Sequence, residues 1–473
     1  MFAARIALLA VVCAGVAGAH VGSPDVFFQG QAGPYKVLVA IRPPDVIPGV
    51  AQVEIRALTA GVDKVEVTPM PMTGEASKHP PMADVAGRSS VDPNFYEGSL
   101  WLMGFGSWKV KVRVTGRAGA GEMQVPVPAL AYKTKPMETG VGYFLFGMMV
   151  FLTVGMVAIA GSAVREAELE PGAAGAGWGR RSVLTMLGLS VLLVLVLWKG
   201  KTWWGYEAAD HAEQIYKPLT LNATLQGDSQ LQLQLQDPGW FASRKLDDLA
   251  TDHGHLMHLF LLRWPAMDRV YHLHPEQTAA GYFATDLPAI PAGTYRAYGD
   301  IVHENGLAET AVGNVTLPDV TGRPPGPDDA AGRAGAEPTA GASFNLDNGY
   351  KMVWKREAAG TFATRRVRMF TFALEGPDGK PAGGMEPYMG MGGHAEFVGA
   401  DGTVFAHVHP TGSVSMASVK VASNEEMLRM HESVVGNEVS FPYGLPKVGR
   451  YRVFVQMKHA GKVETGAFDL EAK

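Results

Sequence analysis

Strictly alternating apolar and polar residues fill the first hundred or so positions after the N-terminal segment. The pattern is clearest in YKVLVAIRP (35–43), AQVEIRAL (51–58), SWKVKVRVTG (107–116) and EMQVPVPA (122–129). A period of two places alternate side chains on opposite faces of a β-strand, and Pro/Gly turns separate these stretches. Residues 20–136 are therefore predicted to form a small β-sandwich.

Two long runs break this alternation because they are apolar on every face. Val141–Val164 carries no charge over 24 residues, and Ser182–Trp198 carries none over 17. Such runs are long enough to span a bilayer, and aromatic residues follow the second run as in an interfacial belt. We predict transmembrane helices over 137–164 and 182–200. Two buried core helices are the alternative.

The first nineteen residues have the pattern of a secretory signal peptide. An arginine precedes an apolar stretch, and Ala17 and Ala19 occupy the small-residue positions for cleavage before His20. A lipoprotein signal ending at Cys13 is the competing interpretation. Export of the N-terminus makes the loop 165–181 cytoplasmic. Both large portions are then predicted to lie on the periplasmic side of a bacterial inner membrane, in a two-pass protein.

The alternating pattern returns after the second apolar run. Residues 201–318 contain LQLQLQ (231–236), and 343–473 contain a second set of strand-like stretches. Between them, 319–342 has little bulky apolar content and is predicted to be a flexible linker. The stretches of the second set are KMVWKRE, VRMFTFAL, HAEFVG, TVFAHVHP, SVSMASV, YRVFVQMKH and TGAFDLE, with an insertion around 417–440 that contains His431.

Composition narrows the range of functions. The 473-residue chain has a net charge of −5 and no long basic run, so nucleic acid is not an expected partner. Its one cysteine, Cys13, falls within the predicted signal peptide, which excludes disulfides and thiolate metal sites from the mature chain. No nucleophile elbow, P-loop, dinucleotide fingerprint or HExxH motif occurs, and no feature supports an enzyme.

A histidine pattern occurs twice, once in each of the two later portions. Each copy ends in His-x-His-Pro, has another histidine 14 or 13 residues upstream, and has a tyrosine downstream that is followed eight residues later by a histidine. The pattern indicates a duplicated module with one candidate metal site per copy. The candidate ligands are His258, His272, His274 and His303 in the first copy, and His394, His407, His409 and His459 in the second.

The spacing of these histidines suits metal binding. Side chains at i and i+2 of a strand share a face, and an antiparallel neighbour can bring the upstream histidine beside them. Imidazole without thiolate favours copper, zinc or nickel, and thioethers favour Cu(I). A hydrogen-bond network that holds a sandwich corner is the alternative. Further candidates are Asp252, His253, His255 and Met257 in the first copy, and Met385, Met389, Met391 and Met416 in the second.

The new N-terminus is a separate hypothesis. Cleavage before His20 would leave an α-amine and an imidazole on one residue, and a second imidazole would complete a copper brace. The only other histidine of the N-terminal domain is His79, in ASKHPPM.

Several stretches resemble known families. EGSLWLMGFGSWKVKVRVTG and VPVPA, within 97–128, resemble YtkA-like domains, which are exported β-sandwich modules often linked to metal handling. DHGHLMHLFLL, YHLHPEQ and EPYMGMGGHAEFVGADGTVFAHVHPTGSVSMA resemble modules of uncharacterised bacterial membrane-anchored proteins, some associated with copper or heavy-metal genes. A start at His20 is similar to CopC-type periplasmic copper carriers in that residue and the general fold. The resemblances imply exported sandwich domains tethered to a membrane.

The sequence thus predicts a mainly β protein with three Ig-like or cupredoxin-like sandwiches and a two-helix transmembrane hairpin. The expected function is copper storage, delivery or resistance, with copper or another transition metal bound by the repeated histidines. Two alternatives stay open. One is an envelope scaffold without metal. The other is an accessory subunit that docks on a membrane enzyme or transporter through the hairpin, where Gly147, Gly155, Ala158 and Gly161 permit close packing.

Overall fold

The structure is mainly β and consists of several sheets, as the alternation predicted. The computed structural model describes residues 25–473 apart from 168, 176, 241–243, 336–341, 357–360 and 424–434. The predicted signal peptide with Cys13, His20 and His431 lie outside the described residues. The chain divides into two units, one of residues 25–129 and 217–473 and the other of Leu130–Tyr216.

The N-terminal part contains two facing sheets, β1-β2-β3-β7-β6 and β5-β4-β8-β9. Residues 51, 53, 55 and 57 of β3 are buried and alternate with exposed or half-buried neighbours, as a strand with one covered face requires. A single 3₁₀ turn spans Glu75–Lys78. The strands are β1 Val26–Ala32, β2 Tyr35–Arg42, β3 Gly49–Ala57, β4 Val62–Pro71, β5 Asp84–Val85, β6 Gly87–Arg88, β7 Phe95–Leu102, β8 Gly106–Gly116 and β9 Gly119–Ala129.

The unit Leu130–Tyr216 is a pair of packed helices, α1 Thr139–Glu166 and α2 Arg180–Glu213. Both are long and apolar enough to cross a membrane, and almost none of their side chains are buried. The Ser182 hydroxyl donates a hydrogen bond to the carbonyl of Gly161, where a Cβ atom would meet Met186. The lack of a side chain at Gly161 therefore allows α1 and α2 to pack closely at this position.

Helix α2 runs thirteen residues beyond the predicted end at 200. The stretch 201–213 contains alanine, glutamate and lysine, which favour helix, and no proline occurs before Pro218. The apolar run marked only the part of the helix that is apolar enough to cross a membrane, and not the whole helix.

The middle part, from residue 217 to 333, forms one nine-stranded sheet of order β14-β15-β11-β10-β17-β16-β12-β13-β18. Its hydrophobic core includes Leu231, Leu233, Leu259, Leu261 and Tyr295. The strands are β10 Thr220–Gln226, β11 Gln230–Gln236, β12 His258–Arg263, β13 Arg269–Leu273, β14 Glu276–Ala279, β15 Tyr282–Asp286, β16 Gly293–Val302, β17 Ala308–Leu317 and β18 Ala330–Arg333.

Strand β18 lies inside the segment 319–342 that was predicted to be a flexible linker, so this prediction is wrong for its described part. Ala330 pairs with His272 of β13, and Gly332 pairs with Val270. A Cβ atom at Gly332 would come within 2.6 Å of Thr465. Small residues occupy this strand because it lies closely packed between β13 and β27. Their small size therefore does not indicate disorder.

The last part contains the sheets β19-β20-β21-β25 and β22-β26-β23-β24, the latter extended by β27 on β26. Their facing sides enclose a core that includes Trp354, Phe370, Phe397 and Phe441. A 3₁₀ turn spans Asp347–Gly349. The elements are β19 Ser343–Asn345, β20 Lys351–Trp354, β21 Arg368–Glu375, β22 Met385–Glu386, β23 His394–Gly399, β24 Phe405–Val408, α3 Met416–Ala422, β25 Glu438–Tyr443, β26 Gly449–His459 and β27 Lys462–Ala472.

The strand predicted in SVSMASV is wrong, because this stretch begins the helix α3. Ser415 is the N-cap, and its side chain accepts a hydrogen bond from the backbone N–H of Ser418. An N-cap serine followed by small residues outweighs the weak alternation in this stretch.

The middle and last parts repeat one three-stranded arrangement. Strands β12, β13 and β16 correspond to β23, β24 and β26, with Phe260 opposite His272 in one copy and Glu396 opposite His407 in the other. The corner tyrosines also correspond. Tyr295 donates to the Pro291 carbonyl and Tyr451 to the Lys447 carbonyl, each at 2.8 Å. We call residues 217–333 and 343–473 the first and second repeats.

The two repeats pack against each other through the faces that point away from their own cores. Phe260, Leu262, Tyr298, Phe405 and Phe454 form this inter-repeat core. The rings of Tyr298 and Phe405 stack with centroids 4.1 Å apart. Because β12 and β23 lie in the middle of the contact, residues on their outward faces are buried between the repeats.

Candidate functional site

The histidines of both copies meet in one cluster at the contact between the repeats. Ring centroids of His258 and His407 are 5.5 Å apart, and those of His272 and His394 are 6.2 Å apart. Strand parity explains this arrangement, because His258 and Phe260 share one face of β12, as His394 and Glu396 share one face of β23. The structure therefore gathers three of the four ligand candidates of each copy into one place.

Within the described residues, this cluster contains two groups that could each hold a metal ion. One group, here called site A, comprises His258, His272 and His274. The other, site B, comprises His253, His394 and His409. In each group one ligand atom per residue lies within 4.8 Å of the others. Site A is built from the first repeat alone, whereas site B takes His253 from the first repeat and the other two from the second.

Hydrogen bonds around site A fix where the imidazole protons lie. The Nε2 of His258 lies 3.1 Å from the carbonyl oxygen of Asp252, so this nitrogen is the donor. The Nδ1 of His272 lies 3.0 Å from Oε1 of Gln456 and is also a donor. The two remaining nitrogens, Nδ1 of His258 and Nε2 of His272, face each other at 3.0 Å with lone pairs only.

Two lone pairs at this distance repel unless a cation lies between them. Nitrogen ligands about 2.0–2.1 Å from one metal ion are about 3 Å apart at angles near 90° and slightly more at tetrahedral angles. The third member, His274, has its Nδ1 3.1 Å from Oδ1 of Asp329, while its Nε2 is buried without a hydrogen-bond partner among the described residues. A carboxylate behind a ligand imidazole is the usual support of a metal-binding histidine.

Site B contains three unpartnered imidazole nitrogens. The Nε2 atoms of His253, His394 and His409 are all buried and have no hydrogen-bond partner within the described chain. The Nδ1 of His409 donates to the carbonyl of Val414 at 3.0 Å, which leaves the lone pair on Nε2. Ring centroids of the three residues are 4.9–5.1 Å apart.

His407 supports site B from behind. Its Nδ1 lies 3.4 Å from Oδ2 of Asp300, and its Nε2 lies 2.9 Å from Nδ1 of His394. If the N–H at Nδ1 faces the carboxyl of Asp300, Nε2 accepts from His394, and the lone pair of His394 is left on Nε2. Asp300 belongs to the first repeat, and Gln456 of the second repeat supports His272 in the same way across the contact.

Electrostatics keep these imidazoles neutral. Burial, followed by the neighbouring imidazoles, holds the pKa of His258, His272, His394 and His407 well below the usual value. Burial lowers the pKa of His409 to about 4. Neutral imidazole is the form that binds metal, so these five histidines are in their ligand form at pH 7.

His303 does not join either group, contrary to the prediction. Its Nδ1 lies 2.7 Å from Asp248 and its Nε2 2.9 Å from Glu309, so carboxylates engage both nitrogens. Burial lowers its pKa, but these hydrogen bonds outweigh burial and raise it above the usual value. Parity explains the error: an offset of eight puts His303 on the same face as Tyr295, which points into the core and away from the cluster.

The other predicted ligands also lie outside the two groups. His459 packs against the ring of Tyr350, with centroids 4.7 Å apart, and shares the core-side parity of Tyr451. His79 is exposed, with Nε2 3.4 Å from Glu75. His20 lies outside the described residues, so the copper brace stays a prediction.

Sequence reasoning missed several supporting residues. His253 was named only as an extra candidate, and Asp300, Gln456, Asp329 and Glu396 were not singled out. An alignment of the two repeats could have indicated two of these residues, because Asp300 and Gln456 each lie five residues after a corner tyrosine. Asp329 was hidden in the segment that was interpreted as a linker.

Comparisons with known proteins give a family match and no shared function. No curated protein matches the chain. Among solved structures, a 1.5-MDa bacterial ice-binding adhesin studied for host cell surface retention aligns at 7% identity over 95% of this chain and 97% of that one, with a TM-score of 0.16. The fibronectin(III)-like modules of Clostridium thermocellum CbhA align at 8% over 54% and 92%, with a TM-score of 0.14.

A Salmonella alpha-2-macroglobulin mutant aligns at 9% identity over 96% of this chain and 24% of that chain, with a TM-score of 0.20. TM-scores this low carry no argument about fold or function. The informative comparison is with a family model: residues 214–317 and 345–473, which carry the two histidine sets, match the family described as a domain of unknown function (DUF8832).

Proposed function

We propose that this chain is a membrane-tethered metal-binding protein that holds two copper ions in the histidine cluster between its repeats. The observation that carries the proposal is site B, where three buried Nε2 atoms converge without hydrogen-bond partners in the described chain. A hydrogen-bond network would instead satisfy such atoms, since buried polar groups without partners are destabilising. Imidazole ligands without any thiolate suit copper, zinc and nickel, and among these divalent ions copper binds most tightly.

The membrane arrangement follows from the contacts of the larger unit. Strand β1 bonds to the turn after His409: Gln29 N–H donates to Thr411 at 2.6 Å, and Ser413 N–H donates to Phe27 at 2.9 Å. Segments before and after the helix pair are therefore joined, which supports a two-pass hairpin that would keep both on one side of a membrane. With the predicted signal peptide, that side is the periplasm.

The role we propose is storage, delivery or resistance, and the three β-rich parts would be Ig-like or cupredoxin-like sandwiches. His272 and His394 are fully buried, which favours holding an ion over turning over a substrate. Metal would enter through local opening of the contact between the repeats.

The test uses the full chain purified from membranes in a mild detergent. Loading with copper under reducing conditions should give about two ions per chain by elemental analysis. His253→Ala with His409→Ala should lose about one ion, and His272→Ala with His274→Ala the other, whereas the control His459→Ala should retain both. Copper-free protein under both oxidising and reducing conditions, or equal loss from the control, would reject the proposal and favour a scaffold or accessory subunit.

A further inference from the structure

We infer that Met389 provides a thioether ligand to site A, which makes site A selective for Cu(I) while site B binds through imidazole alone. This inference rests on the proposed function and specifies the chemistry of one of its two sites. It comes from the internal symmetry of the two repeats and from the surroundings of Met389.

A four-residue β-turn precedes strand β12 in the first repeat and strand β23 in the second. In the first repeat, Asp252 and His255 exchange backbone hydrogen bonds, and in the second repeat Tyr388 and Met391 do the same. The second residue of each turn has a left-handed backbone, with φ of 52° at His253 and 50° at Met389. The turns are therefore equivalent, and Met389 is the counterpart of His253.

The counterpart relation says where the side chain of Met389 should lie. His253 crosses the contact and reaches His394 and His409 of the other repeat. The counterparts of those two histidines are His258 and His274. A near-twofold relation between the repeats therefore directs Met389 to site A.

The packing of Met389 agrees with this direction. Its side chain packs against the cluster of Ala330, Tyr388 and Val463. Ala330 pairs directly with His272 on the neighbouring strand, and the Tyr388 hydroxyl lies 3.2 Å from Nδ1 of His272. Met389 thus contacts the immediate surroundings of a site A ligand.

His255 is the competing fourth ligand, and its geometry disfavours it. Its ring stacks on that of His274 with centroids 3.9 Å apart, and its Nε2 lies 3.6 Å from Asp328. Stacked rings direct their nitrogens side by side and not toward one point. A thioether is a soft, uncharged donor that prefers Cu(I), so three imidazoles and one thioether form a Cu(I) site.

X-ray absorption of the copper-loaded full chain tests this inference. The wild type should show one sulfur neighbour for every two copper ions, and Met389→Leu should lose it while about two ions remain at high copper concentration. Competition with a Cu(I) chelator should show one site weakened at least about tenfold in Met389→Leu. The matched control Met385→Leu, which lies opposite His459 in the sheet, should keep both the sulfur signal and the affinity.

A second variant keeps the test informative if leucine alters the turn. Met389→His recreates the residue found in the equivalent turn, so it should fold and should bind Cu(II) more tightly at site A. Copper bound with only nitrogen neighbours in the wild type, or a sulfur signal that persists in Met389→Leu, would overturn the inference and leave the proposed function standing. Failure to bind copper at all would instead reject the proposed function.

Discussion

Replacing Glu396 by leucine should stabilise the metal-free protein, although Glu396 lies opposite the cluster residue His407 in the sheet. The carboxyl is fully buried between the repeats, and neither oxygen accepts a hydrogen bond from another described residue. The equivalent position in the first repeat holds Phe260, whose ring stacks on His272 with centroids 4.2 Å apart. The fold therefore accepts an apolar side chain at this position.

The expected magnitude follows from the unpartnered carboxyl. A buried polar group without a partner destabilises a protein by about 1–3 kcal/mol. Leucine is close to glutamate in size, so Glu396→Leu removes this penalty with little change in packing. At about 2–4 °C per kcal/mol, the melting temperature should rise by roughly 2–12 °C.

The effect should also depend on pH. Burial, with Asp300 adding to it, raises the pKa of Glu396 well above its ordinary value of 4.5. An acid with a raised folded-state pKa contributes its full stability below the unfolded pKa and loses it as pH rises toward the folded pKa. The advantage of Glu396→Leu over the wild type should thus widen above about pH 4.5, by at most about 1.4 kcal/mol per pH unit.

Thermal melting of the chelator-treated full chain in detergent, followed from pH 5 to pH 8, measures this difference. Glu396→Gln should gain less at each pH and should show the same widening, since it removes the titration but leaves a polar amide. The exposed Glu471→Leu should leave the melting temperature nearly unchanged. A lower melting temperature for Glu396→Leu, or a difference that stays constant with pH, would refute the reasoning.

Three further predictions concern residues around the cluster. Asp300→Asn should weaken metal binding at site B about 10–100-fold by competition titration and leave site A unchanged, because it removes the carboxyl behind the ligand chain. His303→Gln should leave the copper content unchanged. The raised pKa of His303 stabilises the wild type below about pH 6.5, and this stability is lost as pH rises through that pKa. The melting temperature of the variant should therefore be lower at low pH and should approach that of the wild type at high pH. Gly332→Ala should destabilise by about 1–3 kcal/mol, since its Cβ would clash with Thr465, whereas Gly383→Ala, which faces open space, should melt like the wild type.

Alternation and apolar runs predicted the parts of the fold that depend on local periodicity. Strands such as β3, β11 and β26 and both long helices lie where the pattern indicated them. The errors occurred where tertiary contacts overrode local composition. Strand β18 is Ala/Gly-rich because Thr465 leaves it no room, and the stretch after Ser415 is helical because its cap is satisfied.

The sequence predicted that histidines form the candidate site, but it did not predict which histidines share one group. Parity within a strand indicated that His272 and His274 share a face, but nothing in one strand indicates which other sheet covers that face. Strand parity would also have separated His303 from the cluster if the core-facing Tyr295 had been used as the reference. The division of ligands between the repeats required the three-dimensional contact.

Three differences between the repeats lie at the face they share. The corner tyrosines and the core-facing sides of the strands correspond between copies. By contrast, Phe260 is replaced by Glu396 at the equivalent position, His253 by Met389, and Asp300 by Gln456. Each repeat also provides a polar contact to a cluster histidine of the other, from Gln456 to His272 and from Asp300 to His407. A repeat that functioned by itself would need its own complete set of ligands and supports. Site B instead takes its candidate ligands from both repeats, so the proposed metal-binding unit is the pair, and the contact between the repeats is as much a part of the site as the histidines are.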